Sequence, residues 1–163
     1  LWKYGEPENT LVLSAPGTGK TTLLRDLIRL FSNGDEMHPG KRIGLVDERS
    51  ELAGCLHGIP QNDVGVRTDV LDGCPKVEGM MLLVRSMAPE ILAVDEIGSV
   101  EDFSAMEYAM RCGCHLLATV HAKNLEELFQ KPGWDKCKKE RMFEKYVIIS
   151  KVAGKRQYQV EEG

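Results

Sequence analysis

The chain has 163 residues, of which 42% are apolar and 28% charged, as expected for a soluble globular protein with one sizeable core. Its net charge of −4 argues against a stand-alone nucleic-acid-binding domain, because such a domain needs a basic face. The cysteines form no C-x-x-C pair, so we predict buried, inert thiols rather than a disulfide framework or a zinc site at Cys55, Cys74, Cys112, Cys114 and Cys137.

The sequence shows neither a membrane-spanning segment nor a targeting signal. No stretch approaches the length of an uninterrupted apolar transmembrane helix, and the first residues lack the basic-then-apolar layout of a signal peptide. We therefore expect a soluble, cytosolic chain in which residues 1–163 form a single domain. Only a short polar segment of about ten residues precedes the first strand, and we therefore expect a fragment that lacks an N-terminal domain.

The first motif is SAPGTGKT, which lies between the apolar run Leu11–Leu13 and a helical pattern. Gly17 and Gly19 permit backbone torsions that turn successive N–H groups inward around a phosphate, and the helix N-terminus adds partial positive charge. We expect Lys20 to reach the β- and γ-phosphates and the Thr21 hydroxyl to bind Mg²⁺. The predicted nucleotide-binding residues are Ser14, Ala15, Pro16, Gly17, Thr18, Gly19, Lys20, Thr21 and Thr22, with Thr22 on the α-phosphate.

A second strand, Arg42–Val46, ends in the charged cluster Asp47–Glu51. Glu51 is a candidate to share in water activation, and the alternative is a surface charge cluster or a salt bridge to Arg49. From Gly54 to Pro75 the sequence is rich in glycine and proline and has little periodicity. It predicts a long functional loop.

The next helix and strand lead to the predicted catalytic carboxylates. Pro75 fits a first helical turn, and apolar residues follow at helical spacing until the chain reaches Pro89. Ile91–Val94 is an uninterrupted apolar run, typical of a strand covered on both faces, and it ends in Asp95-Glu96. We predict that Asp95 holds Mg²⁺ opposite Thr21, and that Glu96 orients and deprotonates the attacking water.

The remaining elements follow in order. Ser99 is predicted to cap a helix that ends at Gly113, with a buried stripe at Val100, Phe103, Met106 and Met110. Cys114–Val120 is another apolar strand that closes with Thr119 and His121, which are placed to sense the γ-phosphate. A short helix over 125–129, a polar stretch to Arg141 and two β-type runs, 146–150 and 157–160, complete the prediction.

Alternating strands and helices specify an α/β fold, with a mainly parallel sheet flanked by helices and a C-terminal β-hairpin. Ligands of such sheets bind beyond the carboxyl ends of the strands. The polar residues at four strand ends are therefore expected to converge on one nucleotide. Arg67 and Arg85 are candidates for charge stabilisation during phosphoryl transfer, for example on a neighbouring subunit's nucleotide. The alternative is that each forms a structural ion pair.

Several of these residues resemble a known superfamily. The segment Val84–Ala122, which contains Arg85, Asp95-Glu96 and GCHLLATVHA, is similar to the Walker B and histidine boxes of secretion and pilus-retraction ATPases. VDERSEL resembles the acidic box of that superfamily and maps its last carboxylate onto Glu51. More narrowly, residues 10–122 resemble the stage III sporulation protein AA family of endospore-forming Firmicutes.

The resemblance implies a RecA-like P-loop ATPase core that uses ATP and Mg²⁺ and assembles into a hexameric ring. It also implies a cytoplasmic motor, recruited to the mother-cell membrane by protein components of the channel between mother cell and forespore. Two features depart from the superfamily. Gly98-Ser99 stands where an Arg-Asp pair is usual, and the chain is expected to be a fragment without the preceding N-terminal domain, which in the superfamily helps to form the adenine pocket and ring interface.

Three other functions remain open from the sequence. Related plastid and bacterial proteins join a similar core to a nucleic-acid-binding domain, so a nucleic-acid-associated ATPase is one alternative. The net negative charge of the chain argues against it. A small-molecule kinase is disfavoured because Glu96 is placed for water activation. A nucleotide-gated scaffold without turnover is the third. No N-K-x-D motif distinguishes guanine from adenine.

Overall fold

The computed structural model describes residues 1–163. The strands are β1 (Trp2–Lys3), β2 (Glu6–Pro7), β3 (Thr10–Ser14), β4 (Ile43–Asp47), β5 (Thr68–Asp72), β6 (Ile91–Val94), β7 (His115–His121), β8 (Lys145–Val152) and β9 (Lys155–Glu162). The helices are α1 (Lys20–Asn33), α2 (Lys76–Ser86), α3 (Val100–Arg111), α4 (Leu125–Phe129) and α5 (Trp134–Lys139). None of these helices has the length and apolar character needed to cross a bilayer.

Seven strands form one sheet in the order β5-β4-β6-β7-β3-β8-β9. All neighbouring pairs run parallel except β8 and β9, which form an antiparallel hairpin at one edge. The short strands β1 and β2 pair separately. The predicted α/β fold with a mainly parallel sheet and a C-terminal hairpin is confirmed.

Successive residues of a strand point to opposite faces of the sheet, and apolar clusters cover both faces. On one face Ile91 and Ala93 pack in the same apolar cluster as Ile28 of α1. On the other, Leu92 and Val94 belong to a larger cluster with residues of α2 and α3. This two-sided burial explains why β6 has no polar residue.

Helix α3 begins as predicted, but one of its four stripe residues is exposed. The Ser99 hydroxyl accepts from the backbone N–H of Asp102, and the Asp102 carboxylate accepts from that of Ser99, which completes a capping box. Phe103 and Met106 are buried, whereas Val100 is 66% exposed. At about 100° per residue, Val100 lies roughly a quarter-turn away from the centre of the stripe and faces solvent.

Two elements contradict the sequence prediction. Residues 54–75 are not a continuous loop, because β5 lies within them and pairs with β4 at the sheet edge. An edge strand has one neighbour and little burial, so its polar residues gave no strand pattern. The predicted polar stretch before Arg141 contains α5, whose Trp134 and Cys137 are buried one turn apart.

The cysteines are only partly as predicted. Cys114 and Cys137 are buried, and burial raises the pKa of the Cys137 thiol to about 12. Cys55 and Cys74 are half-buried. Cys112 is exposed, so the prediction of a buried thiol is wrong there, because this residue follows the last turn of α3 where the chain leaves the core.

Candidate functional site

The carboxyl ends of four adjacent strands meet at one edge of the sheet. Ser14 at the end of β3 pairs with His121 at the end of β7. Val94 pairs with Ala118, which brings Asp95 next to Thr119. The polar segments that follow β3, β4, β6 and β7 therefore lie together, although they are far apart in the chain.

The loop after β3 contains two glycines in left-handed backbone conformations. Gly17 and Gly19 have φ angles of 69° and 104°, which side chains disfavour. The Thr18 hydroxyl donates to the carbonyl oxygen of Ala15 at 2.8 Å and contacts Ser14 Oγ. Ser14, in place of the usual glycine, thus supplies a hydroxyl that ties the loop together, while Pro16 and Gly17 are exposed.

Lys20 is only 5% exposed and is directed into the site. Its Nζ lies 2.7 Å from His121 Nδ1 and 3.5 Å from the Ser14 carbonyl oxygen. Burial lowers the pKa of Lys20, and the nearby Asp95 and Glu96 charges oppose that effect. Because ammonium can only donate, Nδ1 of His121 accepts, so the ring proton lies on Nε2 and donates to Glu96 Oε1 at 2.8 Å.

Thr21 and Asp95 fit a magnesium ion. Thr21 Oγ1 donates to Asp95 Oδ2 at 3.1 Å, and the Thr119 hydroxyl donates to the other carboxylate oxygen. No group of three or more His, Cys, Asp or Glu side chains is preformed for a metal. One carboxylate and one hydroxyl would suit Mg²⁺, which proteins commonly bind through one or two carboxylates together with substrate phosphates.

Glu96 has an unusual backbone conformation that its neighbours hold in place. Its φ is 53°, in the left-handed region that residues with a side chain rarely adopt. Its N–H donates to Thr119 Oγ1 at 3.0 Å, and its carbonyl oxygen accepts from Lys76 Nζ at 2.6 Å. Such strained residues persist where the surroundings over-determine them, commonly at functional sites.

The Glu96 carboxylate is bound at both oxygens. His121 Nε2 contacts Oε1 at 2.8 Å, and Arg49 Nη1 contacts Oε2 at 2.6 Å. Burial raises the pKa of Glu96, but the hydrogen bond from His121 and the charge of Arg49 outweigh it, so the net pKa is lowered. Glu96 is therefore ionised at neutral pH and can accept a hydrogen bond from water.

Glu51 faces the same cleft as Glu96. Both line a cavity of ≈ 110 Å³ that also borders Asp95 and Arg49. The buried Asp47 carboxylate fixes this segment, because it accepts from the backbone N–H groups of the three successive residues Glu51, Leu52 and Ala53. A surface salt bridge between Glu51 and Arg49 is not formed, since Arg49 pairs with Glu96.

Arg85 and Arg67 do not join this cluster. Arg85 lies nine residues beyond Lys76 on α2, about 14 Å along the helix axis, and its guanidinium stacks 5.9 Å from the Tyr108 ring. Arg67 donates to the carbonyl oxygen of Ser32, in the last turn of α1. The structure does not bring Arg85 to the site of its own chain, so a part for Arg85 in phosphoryl transfer stays a prediction.

Sequence reasoning missed two residues that contact Glu96. The sequence predicts Arg49 only as part of the charged cluster or as a salt-bridge partner of Glu51, and gives no indication that it contacts Glu96. Lys76 begins α2, where the helix dipole disfavours a positive charge. A lysine at this unfavourable position indicates that its ammonium has another partner. In the structure the Lys76 ammonium donates to the carbonyl oxygen of Glu96.

Thr119 holds both carboxylate residues, so we predict that Thr119→Val lowers both stability and turnover. The substitution keeps the shape but removes the hydroxyl that accepts from the Glu96 N–H and donates to the Asp95 carboxylate, and a hydrogen bond to a charged group contributes about 1.5–3 kcal/mol of unfolding free energy. Thr119→Ser keeps the hydroxyl and is the matched control. Chemical unfolding and phosphate release measure the two effects, and equal behaviour of the two variants would contradict this role.

A family model described as sporulation stage III, protein AA matches residues 1–160. The chain is also 47% identical over 146 residues to stage III sporulation protein AA of Bacillus subtilis (strain 168), which covers 90% of this chain. The chain belongs to the stage III sporulation protein AA family. It spans 48% of the length of that relative.

Solved structures with the same fold include ATPases. The ATPase DotB of Legionella pneumophila matches 95% of this chain and 45% of its own, with a TM-score of 0.67 and 17% identity. The VirB11 ATPase of Brucella suis, solved with sulphate, matches 94% of this chain and 49% of its own, with a TM-score of 0.61 and 18% identity. The family member described here therefore has the RecA-like ATPase fold.

Proposed function

We propose that the chain is the catalytic core of an Mg²⁺-dependent ATPase. The observation that carries this proposal is the contact between the two halves of the site. Thr21 Oγ1 lies 3.1 Å from Asp95 Oδ2, and Lys20 connects to Glu96 through His121. A single triphosphate bound in the loop would thus reach the metal ligands, the lysine and the carboxylate together.

In this proposal each residue has a defined task. The N–H groups of the loop and Lys20 bind the phosphates, and Thr21 with Asp95 would hold Mg²⁺, which when bound neutralises charge on the β- and γ-oxygens. Glu96 orients the attacking water, with Glu51 at the same cleft. His121 contacts both Lys20 and Glu96, so movement of Lys20 toward a γ-phosphate changes the bonding of Glu96.

The finer biological role is also proposed. Family membership and the fold of secretion ATPases support a ring, hexameric as in the superfamily, that converts hydrolysis into movement for a membrane-embedded channel between mother cell and forespore. A cytoplasmic location with recruitment to the mother-cell membrane by channel components is consistent with this role. In such a ring a neighbouring subunit completes the nucleotide site. The activity per chain should therefore rise with protein concentration.

A nucleotide-gated scaffold without turnover is the second candidate. It is favoured by the bonding of Glu96, since both carboxylate oxygens are occupied and the lowered pKa makes this group a weak base. Hydrolysis requires that water reaches one of the Glu96 lone pairs that His121 and Arg49 leave free. The scaffold predicts ATP binding with no phosphate release at any protein concentration.

Phosphate release tests the proposal and separates the two candidates. We expect release from ATP in the presence of Mg²⁺, with the rate per chain increasing with protein concentration, and no release when EDTA removes the metal. ATP binding without release at high concentration would favour the scaffold. Release that persists in EDTA would contradict the proposed part of Thr21 and Asp95.

A further inference from the structure

A groove of ≈ 520 Å³ borders the phosphate loop on the outer side of α1. It begins at Thr22, one residue after the loop, and passes Asp26 and Arg29, which lie on the same side of the helix. The opposite wall is β9, which contributes Arg156 and Tyr158. Its volume is in the range of small-molecule binding sites, about 300–1,000 Å³.

The C-terminal hairpin brings two cations against the phosphate loop. Lys151 of β8 and Arg156 of β9 are directly opposite in the hairpin. Lys151 Nζ donates to the carbonyl oxygen of Gly17 at 3.2 Å. The Arg156 guanidinium lies over Gly19, where an added Cβ would come within 2.7 Å of it. The hairpin is therefore part of the loop's immediate surroundings.

Most polar groups of the groove already have partners within the protein. Arg25 donates to the carbonyl oxygens of Glu51 and Leu52, and Arg29 pairs with Asp26. Arg156 belongs to none of the protein's ion pairs. Tyr158, beside it, is 54% exposed. These two β9 side chains are thus free to contact a ligand.

We propose that this groove binds the nucleoside part of the nucleotide, with Tyr158 stacked on the base and Arg156 bonded to the phosphate chain. The inference rests on the proposed function, because a triphosphate in the loop places its α-phosphate at Thr22, and the ribose must leave the loop there. Aromatic rings stack on the face of any base. The carboxylates of Asp26 and Asp63 can accept hydrogen bonds from ribose hydroxyls. The hairpin would then supply a base site from the same chain.

Binding of ATP and of inorganic tripolyphosphate by calorimetry tests this site, since only ATP carries a nucleoside. We expect Tyr158→Ala to weaken ATP binding about tenfold and to leave tripolyphosphate binding unchanged, because one base stack contributes about 1–3 kcal/mol. Tyr158→Phe keeps the ring and should bind like the unaltered chain. Arg156→Ala should weaken both ligands, and Tyr4→Ala, which removes an exposed tyrosine elsewhere, should weaken neither.

The outcomes separate the groove from the proposed function. If Tyr158→Ala binds ATP as tightly as the unaltered chain, or loses both ligands equally, the base does not stack on Tyr158 and the groove proposal is wrong while the ATPase proposal stands. If the unaltered chain binds neither ATP nor tripolyphosphate, the proposed function itself fails. Retained tripolyphosphate binding also shows that the alanine variant is folded.

Discussion

Glu96→Gln is expected to lower phosphate release by about 10²–10⁴-fold, the contribution typical of general-base assistance, without weakening ATP binding. Glutamine keeps an oxygen that can accept from His121, but it cannot take a proton from water. Its amide would also face the Arg49 guanidinium with donors on both sides, so that contact is lost. The expected variant therefore binds ATP and holds it unhydrolysed.

Two comparisons make this result specific. Glu101→Gln removes an exposed carboxylate at the start of α3 and should leave phosphate release unchanged. Glu51→Gln removes the second carboxylate of the cleft, and its effect measures how far Glu51 shares the task. Hydrolysis that survives in Glu96→Gln but is lost in Glu51→Gln would transfer the assignment of the base to Glu51.

Lys20→Met is expected to weaken ATP binding by about ten- to a hundredfold, because a hydrogen bond to a charged group contributes about 1.5–3 kcal/mol. The same substitution should not lower the free energy of unfolding by much. Burial disfavours the Lys20 ammonium, which is why the pKa is lowered, and methionine keeps an apolar side chain of similar length. Calorimetric binding and chemical unfolding measure the two effects.

The pH dependence of stability gives a separate check on Lys20. Because its folded pKa is lowered, the unfolded chain retains this proton at pH values where the folded chain has lost it. Lys20 therefore makes stability rise with pH between its folded pKa and the ordinary lysine value, and Lys20→Met should lack that rise. Lys139→Met, which alters an exposed lysine, is the control. Identical pH profiles for the unaltered chain and Lys20→Met would contradict a desolvated ammonium.

The sequence was sufficient where a local pattern determines the structure. Gly17 and Gly19 before Lys20 specify a loop that only a few backbone torsions allow, and the apolar run Ile91–Val94 specifies a buried strand. Parallel topology then brings Asp95-Glu96 to the loop. These steps need only neighbouring residues and general rules for α/β sheets.

The remaining features depend on contacts between distant segments. The charge of Lys76 at the start of α2 indicates that it needs a partner, but nothing local to Lys76 or Arg49 identifies Glu96 as that partner. Arg156, near the C-terminus, lies against Gly19 because the register of the β8–β9 hairpin places it there. Both strands of this hairpin are longer than the sequence predicts. The strand β5 was missed because an exposed edge strand lacks the burial that creates a hydrophobic pattern.

The central claim is that one magnesium-bound triphosphate joins the loop after β3 to the carboxylates after β6. A crystal structure of Glu96→Gln with ATP and Mn²⁺ in place of Mg²⁺ tests it most directly, because anomalous scattering locates the metal. We expect the metal beside the Thr21 hydroxyl and Asp95, and the γ-phosphate between Lys20 and residue 96. A nucleotide bound elsewhere, or a metal that contacts neither Thr21 nor Asp95, would contradict the account.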